Sequence, residues 1–169
     1  MSVGELLGGD KVLGVPIDSN LDLAKATRAG LPSTAAILLA REILEIAPAV
    51  DARSSVGITS TALGGAAIGQ ALGEQTLGVL GGLVFSLVGA IGHHTPRRLT
   101  PSESDLVVRT ATALSKAIDV LGEKNKAVHW LKSPNKALGG QTPLSLLDTS
   151  AGEHEVEALL DRIEYGVYS

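Results

Sequence analysis

Helix start and stop signals follow one another closely in the C-terminal part of the chain, and they constrain the fold more than any other feature. Thr100 and Glu103 form a capping box, with Pro101 at the first helical position. Gly122 is placed to end that helix in the left-handed conformation. Thr142 followed by Pro143 predicts a second start of the same kind. This pattern predicts helices joined by sharp corners, and therefore an all-α fold.

Hydrophobic periodicity places two longer helices within this frame. The last helix is predicted to begin at Ser150, with Glu153 completing a capping box worth about 1 kcal/mol, and to end at Gly166. The apolar stripe of the earlier helix, from Thr100 to about Leu121, is Leu106, Thr110, Ala113, Leu114, Ala117, Ile118 and Leu121. The inward stripe of the last helix is Val156, Leu159, Leu160 and Ile163.

Two breaks separate these helices. A helix from Asn125 carries His129 and Trp130, and Ser133-Pro134-Asn135 interrupts it. Gly139-Gly140 supplies backbone freedom before a short helix that runs from Pro143 to Asp148. A compact helical unit with two corners follows.

The spaced residues of this unit resemble the toxin-binding domain of the Xre/MbcA/ParS antitoxins. The similar string is W-L-x-S-P-N-x-A-L-G-G-x-T-P-L-x-L-L-D-T-x-x-G from Trp130, then a helix that ends I-E-x-G-V-Y, and the similarity extends back to Leu99. The resemblance implies an antitoxin that neutralises a RES-domain toxin, an enzyme that consumes NAD. It also implies that the catalytic residues lie on the toxin, that this chain is no enzyme and needs no cofactor, and that it forms a homo-oligomer, a dimer.

The resemblance further implies a set of toxin-binding residues. They are Trp130, Ser133, Pro134, Asn135, Leu138, Gly139, Thr142, Pro143, Tyr165, Gly166, Val167 and Tyr168. Apolar members such as Trp130 and Leu138 equally suit plain core packing. The tail after Gly166 either docks on its own domain or enters a cleft of the partner, and the resemblance favours contact with the toxin.

The composition and the net charge of the chain argue against several other kinds of site. The chain has no cysteine, which excludes disulfides and thiolate metal sites and suits the cytoplasm. Its four histidines do not converge in the predicted elements, so we predict no metal site. The net charge of −4 disfavours a strongly electrostatic nucleic-acid binder. The glycine-rich stretches lack the strand context of a phosphate loop, and Glu153, Glu155 and Glu157 are typical of a solvated helix face.

The N-terminal part is predicted to contain two helices around a Gly-Leu-Pro corner. Residues 1–18 are predicted to be a loose arm with at most one helical turn. Ser19 or Asn20 caps a helix that ends at Gly30, and a second helix runs from Ser33 towards Pro48. The segment AKATRAGLPSTAAILLARE resembles the opening of the helix-turn-helix region of Xre-type antitoxins, but no recognition helix follows, so operator binding is predicted to be weak or absent.

Residues 56–92 form a Gly/Ala-rich apolar segment with Glu74 as its sole charge. Gly65, Gly69 and Gly73 recur every four residues, as in a glycine zipper. Three interpretations stay open: a self-packed helical hairpin, a membrane-inserted or membrane-touching hairpin, or a segment foreign to the family through insertion or a frame slip. The chain is therefore divided into an N-terminal region (1–55), the apolar segment (56–98) and a toxin-binding domain (99–169). The alternative to an antitoxin is a membrane-associated protein that oligomerises through the zipper.

Overall fold

The computed structural model describes residues 1–17, 19–44 and 98–166, and all of its elements are helical. The α-helices are α1 (Val3–Leu6), α2 (Gly9–Leu13), α3 (Asn20–Ala29), α4 (Ser33–Leu44), α5 (Pro101–Leu121), α6 (Lys124–Lys132), α7 (Pro143–Leu146) and α8 (Ser150–Glu164), with a 3₁₀ turn at Lys136–Leu138. The predicted all-α fold is confirmed. In the described ranges, strand-like pairing is limited to one antiparallel bridge between Pro32 and Arg98.

Helix α5 is the element around which the others pack. It contacts α1, α3 and α4 from the N-terminal part and α6 and α8 from the C-terminal part. Its buried residues are Ser104, Leu106, Val107, Thr110, Ala111, Ala113, Leu114 and Ala117. The predicted stripe is confirmed in its centre, while Ile118 and Leu121 are only half-buried. The buried face is wider than predicted because helices pack on it from two sides, and Val107 and Ala111 extend it.

The N-terminal arm is ordered helix, so the prediction of a loose arm was wrong. Ser2 and Glu5 form a capping box at the start of α1. Leu6 and Leu7 are fully buried, 2% and 0% exposed. Helices of four and five residues are too short to show a periodic pattern or to be stable alone. Here α1 packs against α4 and α5, and α2 against α4, so tertiary contact stabilises them.

The Gly-Leu-Pro corner joins the N-terminal helices to the start of α5. The predicted caps of α3 are confirmed, with Ser19 as N-cap and Gly30 as C-cap. The Leu99 amide donates to the Leu31 carbonyl at 2.8 Å, and the Leu31 amide donates to Ser104 Oγ at 2.9 Å. Because residues 98–99 and 30–31 are held side by side, the N-terminal helices and α5 belong to one hydrophobic core.

Several predictions fall on residues that lie outside the described ranges. They include the apolar segment 56–92, the missing recognition helix after α4, and the tail residues Val167 and Tyr168. The division into three domains likewise stays a prediction. Among the described helices, none combines the length and the apolar character that a membrane span requires.

Candidate functional site

The first corner of the C-terminal unit lies between α6 and α7 and is closed by Asn135. Its side-chain Oδ1 accepts from the Ala137 amide at 2.9 Å. Its backbone amide donates to the Gln141 carbonyl, and its carbonyl accepts from the Gly140 amide, both at 2.9 Å. Gly139 and Gly140 have φ of +67° and +82°, with open space around both, so the turn needs their backbone conformation. The predicted break after α6 is confirmed, although α6 begins at Lys124 instead of Asn125.

The second corner, between α7 and α8, corrects the prediction for the start of the last helix. The Thr142 cap with Pro143 behind it is confirmed, since the Ser145 amide donates to Thr142 Oγ1 at 3.2 Å, but α7 ends at Leu146, before Asp148. The N-cap of α8 is Thr149, whose hydroxyl accepts from the Gly152 amide at 3.1 Å. The predicted capping box of Ser150 and Glu153 was therefore wrong by one residue. The hydroxyls of Thr149 and Ser150 both suit an N-cap. The packing of α8 against α7 determines that Thr149 is the cap.

That packing is centred on Gly152, which is buried against the end of α7. A Cβ at this position would overlap the Leu146 carbonyl oxygen. The Thr149 amide donates to the same carbonyl at 3.3 Å. The backbones of α7 and α8 therefore approach so closely at this corner that only glycine fits at position 152. Helix α8 must begin at the residue that places Gly152 against α7.

Glu153 takes part in an ion-pair cluster with α5 instead of a cap. Its carboxylate lies 3.4 Å from Arg109 Nε, and Arg109 also pairs with Asp105 one turn earlier. The same guanidinium donates to the Leu147 carbonyl at 3.2 Å. Burial raises the pKa of Glu153 above its ordinary value, and the nearby Arg109 charge opposes that rise in pKa. The prediction that Glu153 belongs to a solvated face was wrong, whereas Glu155 is exposed as predicted.

The predicted toxin-binding residues fall into groups that differ in exposure. Pro134, Gly139, Tyr165 and Gly166 are exposed; Trp130, Ser133 and Asn135 are half-buried; Leu138, Thr142 and Pro143 are buried; Val167 and Tyr168 lie outside the described residues. The buried members can shape the corners but present little surface to a partner. Tyr165, at the end of α8, is 76% exposed. The inward stripe of α8 is confirmed for Val156, Leu159 and Leu160, which are buried, while Ile163 is half-buried.

Sequence analysis missed the polar contacts that join α5 to the end of α7 and to α8. The side chain of Arg109 is only 11% exposed. Lys116 on α5 pairs with Asp161 on α8 at 2.7 Å. The one signal in the sequence was the position of Arg109, three residues after Leu106 and beside the apolar stripe. Its partners are 38 and 44 residues away along the chain, and no local pattern identifies them.

The surface of this unit carries a strongly exposed aromatic side chain, Tyr165. Within the described ranges, no group of three or more His, Asp or Glu side chains is placed to hold a metal ion. The exposed residues of the two corners and of the end of α8 are mainly small, polar or aromatic. An aromatic side chain that is exposed at the end of a rigid helix is typical of a protein contact.

Comparison with known families assigns this unit to a class. Residues 116–166, from the last turns of α5 to just beyond the end of α8, match the model of the antitoxin Xre/MbcA/ParS C-terminal toxin-binding domain. Residues 116–166 are therefore similar to the toxin-binding domain of the Xre/MbcA/ParS antitoxins, as the residue pattern indicated. The match begins after Arg109, so it leaves out all but the last six residues of α5.

Individual relatives agree with the family match. The chain is similar to the protein named antitoxin Xre of Yersinia enterocolitica, with 42% identity over 73 residues, which is 43% of this chain and 49% of that protein. The antitoxin Xre of Photorhabdus laumondii is 40% identical over 73 residues, again 43% of this chain and 49% of the relative. That of Pseudomonas putida is 40% identical over 68 residues, 40% of this chain and 43% of the relative. The chain thus spans about half the length of the curated relatives it matches.

Proposed function

We propose that this chain is the antitoxin of a toxin–antitoxin pair, and that it acts by binding the toxin through its C-terminal domain. The observation that carries the proposal is that the matched residues 116–166 fold as one packed unit, held by two capped corners. The relatives that share this unit are themselves named antitoxins. Inhibition by occlusion needs a rigid surface and no reactive group on the antitoxin.

The toxin is, in this proposal, a RES-domain enzyme that consumes NAD, as the residue pattern from Trp130 to Tyr168 implies. The contact is assigned to the exposed residues of the first corner and to the end of α8. Tyr165 is suited to such a contact because its ring buries a large area while its hydroxyl keeps a hydrogen-bond partner. Leu159 and Leu160 are buried, 6% and 0% exposed, and serve the fold.

Co-expression with a RES-domain toxin from the same genome tests the proposal. The antitoxin should restore growth and keep cellular NAD at the level of toxin-free cells, and the two purified proteins should elute together in size-exclusion chromatography. A pair that neither associates nor preserves NAD contradicts the proposed function. Toxin that is bound without any effect on NAD would keep the binding role and exclude the NAD-consuming partner.

Two variants locate the contact. Tyr165→Ala removes an exposed ring, and a truncation before Val167 removes the tail. Each should leave helicity and thermal stability unchanged and weaken toxin binding by about 2 kcal/mol, roughly thirtyfold in affinity, as the loss of an interface anchor commonly does. Ala158→Ser, on an exposed position of the same helix, is the matched control. If the truncation unfolds the domain, the tail is structural, and if it leaves inhibition intact, the tail is idle; either result contradicts the assignment of the tail to the toxin surface.

A further inference from the structure

Arg109, on α5, contacts the end of α7, the first turn of α8 and its own helix. It lies outside the segment that matches the family model, residues 116–166. It donates to the Leu147 carbonyl at the end of α7 and lies 3.4 Å from the Glu153 carboxylate in the first turn of α8. On its own helix it pairs with Asp105. These contacts tie the second corner to α5 at the point where the chain turns into the last helix.

The planar guanidinium suits this arrangement. Its five N–H donors leave in fixed directions, so one side chain can serve a carbonyl and two carboxylates at once. A lysine has the same charge but a single ammonium group on a flexible stem, and it cannot reproduce the fork. With 11% of its side chain exposed, Arg109 has little contact with water, so its remaining donors depend on these partners.

The energetics of the pair favour a geometric role. Glu153 is 24% exposed, and the desolvation of its carboxylate outweighs the attraction of Arg109, because burial is the largest influence on its pKa and raises it. Because desolvation offsets much of the attraction between partly buried charges, such an ion pair contributes little net stability. It still favours one orientation of the corner, because any other orientation separates partly buried charges.

We propose that Arg109 is a positioning residue for toxin binding: it sets the direction in which α8 leaves the second corner, and with it the place of Tyr165. The proposal rests on the proposed function of the chain as an antitoxin. Its structural reason is that α8 is one continuous helix of 15 residues from Ser150 to Glu164, so a change of angle at its first turn displaces its far end the most. Direct contact between Arg109 and the toxin is not required.

The test compares full-length Arg109→Gln with a stability-matched control. Val128→Ala opens a cavity in the core at α6 and lowers stability, whereas the hydrogen-bond and ion-pair partners of Arg109 lie on α5, at the end of α7 and on α8. Affinity for a purified RES-domain toxin is measured at a temperature at which both variants are fully folded by circular dichroism. Arg109→Gln should bind at least about tenfold more weakly than wild type, and Val128→Ala within about twofold. Equal affinities of Arg109→Gln and wild type, or an equal loss in the control, overturn the proposal.

Hydrogen exchange of the free protein supplies a readout that does not depend on the toxin. Arg109→Gln should speed exchange of the amides of residues 150–153 relative to those of α6, and Val128→Ala should do the reverse. Arg109→Lys, which keeps the charge, should behave like Arg109→Gln in exchange and binding, and it replaces that variant if the glutamine protein does not fold. Full rescue by lysine overturns the role of the fork. If wild type binds no toxin, the proposed function fails, and unchanged exchange at residues 150–153 separately refutes the positioning of α8.

Discussion

Two corners of the molecule bring backbone so close together that only glycine fits, and they are built in different ways. At Gly30, a Cβ would overlap the Leu99 carbonyl oxygen, a contact between segments that are 69 residues apart. At Gly152, the overlap would be with the Leu146 carbonyl oxygen, six residues back along the chain. The N-terminal corner is therefore a long-range junction, whereas the C-terminal corner is largely a local turn.

The two glycines also differ in backbone conformation. Gly30 has φ of +84°, which L-residues rarely adopt, while Gly152 lies inside α8 with ordinary helical geometry. Gly30 is needed for conformation and for space, and Gly152 for space alone. Both corners lie on or beside α5. A comparison of the same substitution at Gly30 and at Gly152 therefore separates the cost of an unfavourable φ from the cost of close backbone approach.

The largest effect is expected for Gly30→Ala. It combines an unfavourable φ, which costs about 1–3 kcal/mol, with an overlap against backbone that cannot turn aside. We expect the free energy of unfolding, measured in urea, to fall by about 3 kcal/mol or more. Gly139→Ala is the control, because its φ of +67° is strained but its surroundings are open, and it should cost only about 1 kcal/mol. Equal losses would mean that the junction with Leu99 is not tight.

Gly152→Ala should have a smaller effect. The overlap with Leu146 is likewise against backbone and costs about 3 kcal/mol, but φ is unstrained here and alanine favours helix over glycine by nearly 1 kcal/mol, so a net loss of about 2 kcal/mol follows. Chemical unfolding measures the loss, and hydrogen exchange should locate it in α7 and the first turn of α8. An increase in stability would contradict the close approach of the two helices.

The cap of α8 gives the next smaller effect. Thr149→Ala removes the oxygen that accepts from the Gly152 amide and should cost about 1 kcal/mol in thermal or urea unfolding. Ser150→Ala, one residue later and exposed, should change stability by less than about 0.5 kcal/mol. The reverse order of the two losses would restore Ser150 as the cap.

The smallest effects concern pH, and they have opposite signs at the two ends of the molecule. Hydrogen bonds from the Ser2 amide and hydroxyl lower the pKa of Glu5 below its ordinary value of 4.5. The stability that wild type has over Glu5→Gln is therefore present above pH 4.5 and is lost as pH falls through the lowered pKa. Burial raises the pKa of Glu153 above 4.5, so wild type gains on Glu153→Gln as pH falls from the raised pKa towards 4.5. Urea unfolding of the three proteins from pH 7 to pH 3.5 measures both trends. Parallel trends for the two variants would contradict this assignment.

Local patterns predicted the parts of the fold that depend on neighbours in sequence. The caps at Ser19, Thr100 and Thr142 are confirmed, as are the left-handed ends at Gly122 and Gly166. Each of these involves residues within three or four positions, so the signal is complete in the sequence. The similarity of residues 116–166 to the antitoxin family was predicted for a related reason, since the spaced residues form a pattern that can be recognised without any structure.

Predictions failed where two local options were equally good or where the partner was distant. Thr149 and Ser150 are both capping residues, and only the approach of Gly152 to α7 selects the first. The helices α1 and α2 were missed because they are short, although the Ser2–Glu5 capping box was visible. Arg109 was overlooked because its acceptors come from α7 and α8, which a helical pattern along α5 does not contain.

By itself, the sequence determined that the described part of the chain is all-α, where most helices of its C-terminal part begin and end, and which family residues 116–166 resemble. Those properties follow from hydrogen bonds and backbone preferences within a few residues, and from apolar spacing along one helix. Tertiary structure alone decided that the N-terminal arm is part of the core, that Gly30 is joined to Leu99, and that Arg109 holds the second corner. The contact of Gly30 with Leu99 and those of Arg109 with the end of α7 and with α8 join residues that are 38 or more positions apart, and the helices of the N-terminal arm are too short to be stable alone. Both features depend on the packing of the N-terminal and C-terminal helices against α5, which no local pattern in the sequence specifies.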